Sequence, residues 1–298
     1  MSKISLFTGL MLSASVIFIA CNKKDDPASA QARLLVVNAA ITPNSVAPIG
    51  PAIDVRWDGQ FIIPNVIYGA PGVTTGSPFT ALGNTTTPQS LFAGSYANVK
   101  PGAFGLNLRA TSNAVSPPGV NLTGSTLFDR TTSLLPGMSY TAVTFDFVPL
   151  YRVHLMEDDL SAPPSGKIKV RFIHAVPQAI FQALGVPRRD TVDVTGFGGL
   201  STAPLNNTAL YTARTFGDAF QNPVLTRFAA IDSGSYRFGI RVSGTPGLSP
   251  ATGALGLFPA SGNPIRLLEG RIYTIIARLH PSSAAPGLQP GVTIIQHN

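Results

Sequence analysis

Apolar and polar residues alternate with period two through much of the chain. Phe104, Leu106 and Leu108 fall in one phase while Asn107 and Arg109 take the other; farther on, Tyr236, Phe238, Ile240 and Val242 alternate with Arg237 and Arg241. Ile53, Val55 and Trp57 alternate with Asp54, Arg56 and Asp58, and Asp58-Gly59 predicts a turn where that run ends. Successive side chains of a strand point to opposite faces of a sheet, so each run reads as a strand with one face in a core and the other in water. The runs are separated by Gly- and Pro-rich connections, the arrangement expected of antiparallel sandwiches, and helices are expected to be scarce.

The pattern occurs twice. Arg33-Leu34-Leu35-Val36-Val37-Asn38-Ala39 reads against Lys169-Val170-Arg171-Phe172-Ile173-His174-Ala175, and Ile53-Asp54-Val55 against Val192-Asp193-Val194. The run from Gly102 to Arg109 pairs with that from Gly234 to Arg241, and the run from Leu134 to Thr141 with that from Leu267 to Thr274. Four blocks in the same order, with offsets of 132 to 139 residues, mean a duplicated domain, since solenoid repeats have periods of about 20–50 residues. The peptide Leu135-Pro136-Gly137-Met138-Ser139-Tyr140, echoed by Leu268-Glu269-Gly270-Arg271-Ile272-Tyr273, resembles the tyrosine corner of immunoglobulin-like folds, in which a hydroxyl ties back to upstream backbone. The expectation is an all-β chain of two tandem immunoglobulin-like antiparallel β-sandwich domains, residues 32–160 and 167–298, joined by a linker at 161–166.

The shared order of blocks resembles the bacterial domain of unknown function DUF4397. Its elements are an opening strand ending in Asn-Ala or His-Ala, then Ile-Asp-Val or Val-Asp-Val, then Gly-x-aromatic, then Gly-x-x-Tyr-Thr. The resemblance covers nearly all of residues 32–298 and implies extracytoplasmic β-sandwich modules on lipoproteins and cell-surface proteins, without site residues to carry over. The copies differ where Gly198-Gly199 replaces Asp58-Gly59, and the first copy carries a long stretch over residues 61–89.

The N-terminus supplies an address. Lys3 precedes an apolar run over residues 4–20 that ends at Ala20-Cys21, as in a secretory signal. A membrane-spanning helix needs about 20 predominantly apolar residues, and this run is shorter and interrupted by Ser and Thr. Phe18-Ile19-Ala20-Cys21 resembles the bacterial lipobox, with Phe where Leu is usual, and predicts a signal peptide over residues 1–20. Cys21 is then the lipidated first residue of a flexible tether over 21–31. A thiolate is nucleophilic enough to accept the lipid, and several acyl chains together hold a protein on a membrane where one binds marginally. Lys24, Asp25 and Asp26 resemble a short signal for export to the outer face of the outer membrane, so the expected location is a surface-exposed outer-membrane lipoprotein.

Composition narrows the function classes. Charged residues make up 12% of the chain, about half the usual share, and Cys21 is its only cysteine, so apolar cores must hold it without an internal disulfide. The net charge of +7 is scattered, without the basic stripe and interleaved aromatics that nucleic-acid binding calls for.

No histidine pair has metal-ligand spacing, and no nucleophile elbow or phosphate loop is present, so no cofactor, metal or catalytic residue is expected. Gly196-Phe197-Gly198-Gly199-Leu200-Ser201 lacks the third glycine of a dinucleotide fingerprint and reads as a turn. His174 lies in phase with Val170 and Phe172, where a structural hydrogen bond outweighs an acid/base or metal dyad with Asp193. Glu157-Asp158-Asp159 reads as a solvated linker rather than a calcium loop. Long loops carrying Tyr68 and Phe79, and Phe197, Tyr211, Phe216 and Phe220, offer aromatics for stacking on sugars or partners, set against the plainer expectation that they fold back over the cores. The preferred function is non-catalytic binding or display toward polysaccharide or an envelope protein; the alternative is a glycan hydrolase with a cleft between the sandwiches, which would need two carboxyl groups facing one cleft.

Overall fold

The computed structural model describes residues 30–40, 51–68, 89–111, 122–146, 151–177, 191–198, 210–243, 254–258, 264–281 and 288–298. The described chain is all-β, with one four-residue helix, α1 (Asp218–Gln221), and a single 3-10 turn (Pro223–Thr226).

Four sheets are present. The first outer sheet is ordered β3 (Gln60–Val66), β2 (Ile53–Trp57), β6 (Gly102–Ala110), β7 (Thr126–Leu134). The first inner sheet is β5 (Ala97–Val99), β1 (Ala32–Asn38), β8 (Ser139–Phe145), β9 (Arg152–Glu157). The second inner sheet is β13 (Ala229–Asp232), β10 (Lys167–His174), β17 (Ile272–Pro281), β18 (Leu288–Gln296), β4 (Gln89–Ala93). The second outer sheet is β12 (Tyr211–Thr215), β11 (Thr191–Gly198), β14 (Gly234–Val242), β15 (Ala254–Phe258), with β16 (Ile265–Leu267) also on β14.

The duplicated sequence folds into duplicated pairings. β1 pairs antiparallel with β5 and parallel with β8, as β10 does with β13 and β17. Each half therefore contains one parallel pair, a departure from purely antiparallel sandwiches. The alternating faces lie as the pattern predicts: Ile53, Val55, Trp57, Leu106 and Leu108 are buried in one sandwich core, and Tyr236, Phe238 and Ile240 in the other. Asp58 and Gly59, both at positive φ, close the β2–β3 hairpin. The tyrosine corner is formed in both copies: Tyr140 Oη accepts from the Leu135 N–H, and Tyr273 Oη from the Leu268 N–H, each at 3.0 Å.

The aspartates of the two short Asp-Val motifs have matching structural duties. Asp54 accepts from the Asn65 N–H and Asp193 from the Ala213 N–H, at 2.9 and 2.8 Å. Asn65 and Ala213 sit at positive φ beside a register shift, so each carboxylate caps the backbone of a β-bulge. Asn38 and His174 are equivalent too, each accepting from the N–H two residues on, Ala40 and Val176. This is the structural role expected for His174.

Three expectations change. Residues 196–198 are strand rather than turn: Gly196 lies opposite Phe238 and Gly198 opposite Tyr236, whose rings stack on each other. The long stretch after Phe61 is not purely loop, since residues 60–66 and 89–93 are strands. β1, β8 and β10 are buried on both faces: Leu35, Val37, Val143, Phe145, Ile173, Ile276 and Ile295 form a third core between the two inner sheets.

Candidate functional site

The two halves hold each other across this third core, and equivalent residues meet there. Asp158 and His297 occupy the same place in the two halves, each donating its backbone N–H to the start of the neighbouring strand, at Ser139 O and Ile272 O. Tyr96 and Phe228 likewise precede the equivalent strands β5 and β13, and both rings lie against His297. An interface on which a surface meets its own counterpart has the pattern of a two-fold dimer built within one chain.

The centre of this interface is polar and closed. Arg171 Nη2 and Asp158 Oδ1 form an ion pair at 2.6 Å with both side chains fully buried. Asp158 also accepts from Thr141 Oγ1 and from Tyr96 Oη, each at 2.7 Å. Thr274 Oγ1 joins Arg171 Nε, which donates to it, and His297 Nε2, and Tyr96 Oη reaches His297 Nδ1. Burial pushes the Asp158 carboxyl up, but the Arg171 guanidinium and the two hydroxyl donors more than offset this and hold it below its usual range. Burial pushes His297 down to about 3, so its imidazole is neutral. The solvated linker expected at 157–159 is thus corrected at Asp158, which is buried because β9 delivers it into the interface; Glu157 is exposed but belongs to β9, and Asp159 is exposed and bonded to Lys169 and Ser161.

Each half also lends the other the segment between its third and fourth equivalent strands. From the first half, Tyr68 packs on the second sandwich core, and β4 adds to the free edge of β18 in parallel register from Val292↔Gln89 to Gln296↔Ala93. From the second half, Phe216 and Ala219 of the segment holding α1 pack into the third core, Phe216 edge-on to Phe145. The loop aromatics that are described therefore fold back: Tyr68, Tyr211 and Phe216 pack on the cores. Phe79 lies outside the described residues, as do the side chains of Phe197 and Phe220.

A cleft opens at this joint, with a volume of about 490 Å³. One wall is β9 and the chain just after it, from His154 to Glu157 with Asp159; the other is Pro223, Thr226, Arg227 and Phe228. Two carboxylates thus line a cleft between the sandwiches. Hydrogen bonds from Lys169 and Ser161 pull Asp159 down to about 2, so it carries no proton near neutrality and is not a general acid there. His154 is pushed down to about 4 by burial and by the Arg171 charge. No group of three metal-capable side chains occurs among the described residues. Cys21, Lys24, Asp25 and Asp26 lie outside them, and no described helix is long and apolar enough to cross a membrane.

Sequence reasoning named a cleft between the sandwiches as the alternative but not the residues that line it, because its walls meet only through the third core. The signal available was Arg171, a lone cation in a strand otherwise apolar after Lys169.

Comparison with known proteins adds a family. Residues 44–180 match the family described as "Domain of unknown function (DUF4397)". That stretch runs from the first half across the joint into β10. No curated protein matches the chain. Among solved structures, "The Bacillus anthracis TIE protein" aligns with 84% of this chain at 10% identity and a TM-score of 0.18. The chain spans about a third of that structure, 34% of its length, and so slight a likeness carries no argument about fold or function.

Proposed function

We propose that this chain, whose residues 44–180 match the DUF4397 family, is a non-catalytic lipoprotein of the cell envelope. It is anchored through Cys21 and carried to the surface by Lys24, Asp25 and Asp26. There it binds or displays toward polysaccharide or an envelope protein. The observation that supports this reading is the third core with its buried Arg171–Asp158 pair, which joins two sandwiches into one platform and leaves a cleft at the joint. A rigid platform suits presentation of a surface, because little ordering entropy is lost when a partner docks.

The cleft itself favours a second reading, a glycan hydrolase using Glu157 and Asp159. Glycoside hydrolysis needs one carboxyl group that keeps its proton near neutral pH, through a raised pKa. Asp159 is shifted the other way, so it is not that group.

Two measurements test the proposal. Cys21→Ser is expected to move the protein from the membrane to the soluble fraction; unchanged fractionation contradicts the anchor. The full Cys21→Ser chain, screened on a glycan array and against solubilised envelope proteins, is expected to retain a ligand without consuming it. Release of shortened glycan that stops in Glu157→Gln establishes the hydrolase instead.

A further inference from the structure

The two halves are equivalent strand for strand, but their last strands are treated differently. β18 is covered on its outer edge by β4. β9, its counterpart, ends its sheet, and among the described residues no strand lies against its outer edge. Matching the ladders places Val153, Leu155, Met156 and Glu157 where the second half has Val292, Ile294, Ile295 and Gln296.

Hydrogen bonding fixes which backbone groups face outward. Asp158 donates to Ser139 O, so Asp158, Met156 and His154 bond toward β8, and the N–H and C=O groups of Glu157, Leu155 and Val153 point to the open edge. On β18 the equivalent outward group is satisfied by the lent segment, Gly94 N–H donating to Gln296 O at 2.6 Å. On β9, among the described residues, it is met by the Arg171 guanidinium, 3.5 Å from Glu157 O. Burial agrees: Val292 and Ile294 are wholly buried, while Val153 and Leu155 are partly exposed.

The cleft lies on this edge. Four consecutive β9 residues line it, and consecutive side chains point to opposite faces, so a single cavity touches all four only from the side of the strand. In the second half, the segment corresponding to β4 forms α1 and the 3-10 turn, and its end makes the far wall of the cleft instead of filling it.

We propose that the β9 edge is a strand-acceptor slot that takes an extended segment of a partner protein in parallel register, as β18 takes β4. The β4 register supplies the partner's chemistry. Phe92, buried, stands opposite Ile295, so the incoming strand carries a large apolar residue opposite Met156, beside Phe228. Ala93 stands opposite Gln296, whose counterpart Glu157 is an exposed carboxylate without an ion pair among the described residues; the next residue of the partner is therefore basic. Asp159 is already matched by Lys169 and asks for nothing further. The slot continues the interface between the halves, and it rests on the binding reading above, of which it selects the protein-partner branch.

The test uses the full Cys21→Ser chain and a fluorescein-labelled synthetic peptide with the β4 sequence, Gln89 to Ala93, flanked by glycines and carrying Ala93→Lys. Saturable binding is expected, with amide exchange at Val153, Leu155 and Glu157 slowed by about ten-fold or more. Leu155→Pro removes an outward N–H without touching the bonds to β8 and is expected to abolish binding. Should that variant fold poorly, Glu157→Lys is expected to weaken the lysine peptide by about five-fold and to favour one carrying Ala93→Glu. The proposal is overturned if a scrambled peptide binds equally, or if protection appears at residues 292–296 instead. It is equally overturned if the three β9 amides are already protected in the free protein, by its own chain or by a second copy. Glycan binding without peptide binding removes the slot and leaves the broader binding function standing.

Discussion

Arg171 shows how much one side chain depends on its surroundings. At the equivalent position of the first half stands Leu35, buried in the same third core, so the fold accepts an apolar residue there. Arg171→Leu nevertheless strands the Asp158 carboxylate in a dry interface, and the expected cost is about 3–5 kcal/mol in urea unfolding. Adding Asp158→Asn is expected to recover most of it; failure to do so would mean that Arg171 acts through something other than its charge partner. His297, facing Tyr96, Asp158, Arg171, Thr274 and Phe228, makes the same interface acid-sensitive. Folded, it stays neutral down to about pH 3, whereas the unfolded imidazole takes up a proton below its ordinary 6.5. The unfolded chain therefore binds more protons between those values. Stability is intact above pH 6.5 and falls on acidification by about 1.4 kcal/mol per pH unit for this group. His154, neutral down to about 4, adds in the same direction, and Asp158, ionised below its usual range, adds a loss under about pH 4. Urea midpoints across pH 4 to 8 check this, and His297→Gln is expected to flatten the profile.

At the level of elements, the informative strand is β4. It is short, it belongs by sequence to the first half, and it pairs with the second. Its anchor is Phe92, almost fully buried. Phe92→Asp is expected to cost about 3–5 kcal/mol through the lost apolar burial and the buried charge, and to speed amide exchange along β18 while leaving β2 and β6 unchanged. Exchange that rises equally everywhere would mean that β4 is not a separable clamp. None of this was legible beforehand: a five-residue strand in a stretch rich in Gly, Pro and Thr carries too little alternation to mark itself. β6 and β14, nine residues each with strict alternation, marked themselves fully.

For the whole molecule, the third core makes the halves interdependent. A single unfolding transition is expected by calorimetry, with matching van't Hoff and calorimetric enthalpies, because neither inner sheet can lose its partner without exposing Leu35, Val37, Ile173 and Ile276. Two resolved transitions would show that each sandwich stands alone and that the interface contributes little.

The division between what is local and what is not has a physical basis. Alternation, glycine turns and the tyrosine corners act between near neighbours in the chain, so the sequence by itself determined the alternating strands, their inward faces, the duplicated pattern and the all-β class. The opening strands β1 and β10 were legible as strands with one face in a core but not as buried on both, because burial of the second face depends on an apolar surface far away in the chain. Which outer faces met, where β4 went, that Asp158 found Arg171 and that the β9 edge stayed open along a cleft were decided only in the tertiary structure. Those outcomes depend on contacts between residues far apart in the chain, and no local pattern encodes the distance between them.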